Sequence, residues 1–107
     1  MTQEAQIMNE DTARGQALLP RLKVMNAINK DESSFDDQLL EFVDQAQSDL
    51  KLSGLTYDNV NNKKAYDSAV MAYTNMFFNN DDKSNRDFLK AQYDQLTIDL
   101  IGEIRPL

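Results

Sequence analysis

Residues that interrupt regular structure are scarce in this chain, which has only three Gly and two Pro in 107 residues. Such a chain favours a few long helices over a β-structure with many turns. Its length and its apolar fraction of 41% suit one compact domain and leave too little material for a second core. We therefore expect an all-α fold built around a single hydrophobic core.

The clearest helix is predicted in the stretch SSFDDQLLEFVDQAQSDLKLSG, over residues 34–53. Ser34 with Asp37 three residues later is a capping pair, and Gly54 stands where a left-handed helix end is expected. At about 100° per residue the apolar side chains fall on one arc and the acidic ones on the opposite side. The apolar arc consists of Phe35, Leu39, Phe42, Val43, Ala46 and Leu50.

Three further helices complete a small bundle of about four, and we place them at residues 18–29, 62–79 and 85–104. Pro20 is acceptable only in the first turn of its helix, because proline has no backbone donor. Ser84 with Asp87 offers a second capping pair. Residues 1–16 have little apolar content and are predicted to form a flexible N-terminal arm. The alternative prediction for residues 1–14 is a frayed helix. The helical domain is then 17–107, with a C-terminal tail around Pro106.

The stretch VMAYTNMFF, residues 70–78, carries more apolar surface than one helix face needs. Helical geometry assigns Val70, Tyr73 and Phe77 to the core side, whereas Met71 and Phe78 fall on the other side. A helix buried all round gives this pattern, and so does a helix with a subunit interface. Both interpretations of Met71 and Phe78 stay open.

The last predicted helix has a similar surplus. Its core stripe consists of Leu89, Tyr93, Leu96, Leu100 and Ile104. Ile98 and Ile101 point elsewhere, among charged side chains. Because exposed apolar patches mark association surfaces, the pattern favours Ile98 and Ile101 as subunit-interface residues.

Several function classes are disfavoured by composition. The chain has no His and no Cys, so thiolate nucleophiles, disulfides and the usual zinc ligands are excluded. The loop DDKSNRDFLKAQ places Lys83 where a calcium loop requires an oxygen ligand. No glycine-rich phosphate loop or nucleophile elbow is present. We expect no metal, no cofactor and no enzyme activity. With no signal peptide or membrane span evident, we expect a protein made and kept in the cytoplasm, without membrane contact.

Acidic side chains are concentrated in and before the clearest helix. Seven acids and no base lie between Asp31 and Leu50, and the chain's net charge is -7. Asp37, Glu41 and Asp44 share one helix side. This side is a solvated surface, a mimic of DNA on a small inhibitor of a basic protein, or a wall along which DNA slides without binding.

The order of these parts resembles a known family. A short helix LLPRLKVMNAI, an acidic break NKDES, the long helix FDDQLLEFVDQAQSDLKLSG, a loop and then AYDSAVMAYTNMFFN resemble the small head-tail connector proteins of tailed bacteriophages. The resemblance covers about residues 17–101, and it is a sequence of helix types without a catalytic signature.

The resemblance implies a structural virion protein at the neck of the particle, made in the bacterial host. Such adaptors assemble as a homo-oligomeric ring, commonly of about twelve subunits, beneath the portal protein. They extend the DNA channel without binding DNA specifically and dock the next connector, stopper or tail protein. It also implies that the end GEIRPL lies near the portal, which makes Ile104, Arg105 and Leu107 portal-contact candidates. Asp37, Glu41 and Asp44 are candidates for the channel wall or for outer solvent. The alternative function is the small acidic inhibitor or regulator of a basic partner.

Overall fold

The structure, a computed structural model, describes residues 10–79 and 81–104. Four helices occur in it: α1 (Glu10–Met25), α2 (Asp36–Leu52), α3 (Lys63–Phe78) and α4 (Lys83–Ile104). The described residues contain no strand, so the predicted all-α bundle of four helices is confirmed. None of the helices in these ranges is long and apolar enough to cross a membrane.

Each helix packs chiefly on the next one along the chain: α1 on α2, α2 on α3 and α3 on α4. α1 also contacts α3, so α3 is the central helix and has neighbours on several sides. α1 and α4 lie at the two edges of this series. The core is formed by apolar side chains from all four helices and from the loop before α3, among them Leu18, Leu22, Val43, Leu50, Leu55, Val60, Tyr66, Val70, Tyr93 and Leu100.

The C-terminal end of α2 is the left-handed one predicted at Gly54, whose φ is 83°. The Leu55 amide donates to the Leu50 carbonyl at 3.0 Å and the Gly54 amide to the Lys51 carbonyl at 2.9 Å, which together form a Schellman motif. Leu50 and Leu55 are both fully buried and supply the apolar contact that accompanies it.

The same motif ends α1, but without glycine. The Ile28 amide donates to the Lys23 carbonyl at 2.8 Å and the Ala27 amide to the Val24 carbonyl at 3.1 Å. Ala27 therefore occupies the left-handed position, with a φ of 56°. An L-residue with a Cβ is strained in this conformation, so the end of α1 holds a small amount of stored strain.

Both predicted serine caps are wrong. The residue before α2 is Phe35, and no side chain caps that helix, whereas the Ser34 amide donates to the Glu32 carboxylate. α4 begins two residues early because the Asp82 side chain accepts from the Asn85 amide at 3.3 Å. Asp and Ser are equally good caps, so local sequence does not decide between neighbouring candidates.

The predicted arm over residues 1–16 is helical from Glu10 onward, and residues 1–9 lie outside the described residues. Arg14 donates through Nε and Nη2 to the two carboxylate oxygens of Asp67 on α3, at 2.9 and 3.0 Å. The Gln47 side chain donates to the Asp11 carbonyl at 2.8 Å. These tertiary contacts hold a segment of low apolar content in a helix. Pro20 consequently lies in the interior of α1, not in its first turn.

Candidate assembly surfaces

Met71 belongs to the core of its own chain and is only 4% exposed. The prediction that it faces away from the core is wrong, and so is the assignment of Phe77 to the core, since Phe77 is exposed. The physical reason is the central place of α3: Met71 lies where α1 and α4 both approach α3, close to Arg21 and Leu89. The apolar pattern on several sides of α3 is therefore that of a buried helix.

Phe78 is half-buried at the end of α3, where its ring meets the Phe35 ring edge to face, with centroids 5.7 Å apart. Next to it, Phe42 on α2 stacks on Phe77 with centroids 6.0 Å apart. These aromatic pairs join α2 to α3 within one chain. Phe78 therefore packs largely against its own chain.

The candidates on α4 divide into two groups. Ile98 is 62% exposed, whereas Ile101 and Ile104 are half-buried and pack against the core. Of the four predicted interface residues, Ile98 is therefore the one whose side chain is mostly exposed to solvent. Of the portal-contact candidates only Ile104 is described, and Arg105 and Leu107 lie outside the described residues.

The outward side of α4 forms a continuous exposed surface without charge, which we call the α4 face. Its large side chains are Phe88, 65% exposed, and Ile98. Alternating steps of four and three residues connect its members, which is the spacing of a helix–helix contact seam. The α4 face consists of Ser84, Phe88, Ala91, Gln95, Ile98 and Gly102, all exposed. Sequence reasoning missed Phe88, although this spacing was a signal that could have identified it.

Charged side chains border the α4 face, and two pairs of them are joined within the helix. Lys83 contacts Asp87 and Lys90 contacts Asp94, each pair at 2.7 Å and four residues apart. The hydrogen bond and charge of Lys83 lower the pKa of Asp87, and those of Asp94 raise the pKa of Lys90. Asp99 accepts a hydrogen bond from Gln95 at 2.9 Å and has no ion pair among the described residues.

A second uncharged surface lies at the opposite edge of the fold. The outward side of α1, which we call the α1 face, consists of Ala13, Ala17, Pro20 and Val24, again in steps of four and three. All four are exposed, and Val24 is 78% exposed. Arg21 borders this face, is exposed and makes no ion pair within residues 10–79 and 81–104. The α1 face differs from the α4 face in having three small side chains and only one of moderate size.

The outward side of α2 carries the predicted acidic residues, and Asp37, Glu41 and Asp44 are all exposed. Glu41 and Asp44 line a shallow groove on the α4 side of α2 together with Asp49, Leu52 and Tyr73. Asp37 does not line this groove. Partial burial, and then the nearby charge of Asp11, raise the pKa of Asp44. The structure thus brings together two of the three acidic candidates.

Two phenols adjoin this groove and are poor proton donors at neutral pH. The Tyr93 hydroxyl donates to Asp49 at 2.6 Å and links α4 to α2. Burial, followed by the hydrogen bond to Asp49, raises the Tyr93 pKa. Burial and the charge of Asp49 also raise the Tyr73 pKa. Within the described part of the chain, no group of three or more acidic side chains is arranged to hold a metal ion.

These surfaces can repel anions along α2 and can bury apolar area along α4 and α1. Comparison with protein-family models, with curated proteins and with solved structures gave no match to the chain.

Proposed function

We propose that the chain is a structural virion protein, the subunit of a head-tail connector that assembles as a ring beneath the portal of a tailed bacteriophage. The observation that carries the proposal is the α4 face, on which Phe88 and Ile98 are each more than half exposed. Exposed apolar patches on soluble proteins mark association surfaces, and a ring subunit needs lateral surfaces in addition to its own core.

The acidic side of α2 is consistent with the same function. Packaged DNA has to pass the connector without being held, and carboxylates repel phosphates. Glu41 and Asp44, with Asp49 beside them, would give a channel wall that repels the phosphate backbone. The segment from Ile104 to Leu107 remains the proposed contact with the portal, and another edge of the ring docks the next neck or tail protein.

The test is a deletion of the gene in the phage or prophage that encodes it. The proposal expects DNA-filled heads without attached tails, and restoration of tailed particles by the intact gene. It also expects the chain in purified tailed particles at a fixed ratio to the portal protein, measured by quantitative mass spectrometry. Normal tailed particles after deletion, or particles that lack the chain, would refute the connector function.

A second function is favoured by the acidic groove: an inhibitor or regulator that occupies the basic site of a nucleic-acid-binding partner. Glu41, Asp44 and Asp49 line one groove with the exposed Leu52, an arrangement suited to a basic, partly apolar surface. Replacing Asp37, Glu41 and Asp44 by Lys separates the two functions. Inhibition of a basic partner would be lost, whereas assembly into tailed particles would be largely retained.

A further inference from the structure

The outward sides of the three outer helices differ in a way that points to self-association. α2 presents acids to solvent, whereas the α1 face and the α4 face present no charge at all. The uncharged surfaces lie on the two edge helices of the packing series, each on the side of its helix opposite the core residues. A single copy of the chain cannot bring them together, but two copies can.

The two faces are complementary in side-chain size. Phe88 and Ile98 stand about 15 Å apart along α4, because ten residues separate them at about 1.5 Å per residue. On α1, Ala13 and Ala17 are exposed side chains of one methyl group each, and the larger Val24 follows them two turns later. Large side chains on one helix fit between small ones on another when helices pack by ridges and grooves. Contact between two α1 faces, by contrast, would bury no aromatic side chain, and Val24 would be its largest apolar member.

Charge at the borders of the faces favours the same pairing. Arg21 borders the α1 face without an ion pair in the described chain, and Asp99 borders the α4 face without one. Both lie on the same side of the subunit: Arg21 and Gln92 line one groove, and Asp99 follows Gln92 by seven residues on the same helix flank. Two α4 faces would offer Asp99 no unpaired cation at their borders, because Lys83 and Lys90 are already paired within the helix.

We propose that the α4 face of one copy of this chain docks on the α1 face of the next copy. The contact is heterologous, since it joins different surfaces, and repetition of such a contact produces a closed ring or an open filament. This inference rests on the proposed function in that it names the lateral contact of the proposed ring. It predicts association of the purified chain without any other protein.

The chain has no Cys, so single cysteines can report the contact directly. We would prepare Ala17→Cys on the α1 face and Gln95→Cys on the α4 face, both at exposed positions, and treat each alone and their equimolar mixture with a short bis-maleimide at high protein concentration. The mixture should give covalent dimers at least tenfold above either variant alone. A chain carrying both cysteines should give a ladder of multimers.

Two further variants serve as controls. Glu41→Cys on α2 with Gln95→Cys should give no more dimer than the single variants. Adding Phe88→Glu to the chain with both cysteines should remove the ladder of multimers. An unchanged circular dichroism melt would establish that this variant still folds, as expected because Phe88 is exposed.

Several results would overturn the pairing. One is a yield of dimers from Gln95→Cys alone that equals the yield from the mixture, which would indicate contact between two α4 faces. The others are a mixture that gives no excess of dimers and a ladder of multimers that survives Phe88→Glu. Presence of the chain in tailed particles without crosslinking would refute the pairing and leave the connector function standing. Crosslinking of a chain that is absent from such particles would do the reverse.

Discussion

Replacing Ala27 by Gly is expected to stabilise the fold, although it removes a side-chain atom and adds no contact. Ala27 occupies the left-handed position after α1 with a φ of 56°. This conformation costs an L-residue about 1–2 kcal/mol, and glycine avoids that cost. Glycine also loses more backbone entropy on folding, which takes back about 0.4–1 kcal/mol. Ala27 is exposed, so loss of its methyl group affects packing little.

The difference between the midpoints of these two contributions is a gain of about 0.8 kcal/mol, which raises the melting temperature by about 3–6 °C for a domain of this size. The matched control is Gly54→Ala at the equivalent position after α2, where φ is 83°, and it should destabilise the fold by a similar amount. Thermal and urea unfolding of both variants measure the two effects. An unchanged or lower stability of Ala27→Gly, with Gly54→Ala destabilised, would refute the strain assigned to the end of α1.

Three further predictions concern polar contacts. Tyr66→Phe should lower the free energy of unfolding by about 1–3 kcal/mol, because it leaves the Gln47 carbonyl oxygen, which the Tyr66 hydroxyl contacts at 3.1 Å, buried without that donor. Urea unfolding measures this, and a neutral effect would contradict it. Arg14→Ala should cost about 2 kcal/mol by breaking the partly buried ion pair with Asp67, and hydrogen exchange should then accelerate first in residues 10–16. Uniform acceleration along the chain would be inconsistent with that account. Asp44→Asn should stabilise the fold at neutral pH by up to about 0.5 kcal/mol, measured by melts at several pH values. The Asp44 pKa is raised in the folded chain, so the folded state binds the proton more tightly than the unfolded state. Protonated Asp44 therefore adds to the free energy of unfolding at low pH, and this stabilisation is lost as pH rises through the raised pKa. The effect of the substitution should therefore vanish at a pH below the ordinary Asp range, and a constant effect would contradict the assignment.

Local periodicity was enough to predict the number of helices and most of the core. α2 and α3 begin and end within two residues of the predicted positions, because their apolar side chains repeat with the helical period and Gly54 provides a clear end. α1 was placed several residues too late. Its first turns depend on the pairing of Arg14 with Asp67, residues 53 apart in the chain, and local sequence contains no sign of that contact.

The surfaces were predicted less well than the helices, for a related reason. Whether Met71 is core or surface depends on where α1 and α4 lie around α3, and this is a property of the whole fold. Ile98 could be identified because α4 has its neighbours on one side, so its outward residues follow directly from the helical period. The α1 face could not be predicted as one surface, because Ala13 was assigned to the flexible arm and Pro20 to the first turn of its helix, whereas both lie inside α1.

The packing of each helix on its successor also leads us to expect an order in which the helices of the chain assemble. Most contacts close short stretches of chain, and folds of low contact order reach the native state within microseconds to milliseconds. Pairing of Arg14 with Asp67 and of Asn26 with Asn75 spans about half the chain, so α1 is expected to dock after the hairpins of α2, α3 and α4 have formed. We therefore expect the α4 face to exist before the α1 face is complete, so that a newly made chain presents Phe88 and Ile98 before α1 is docked.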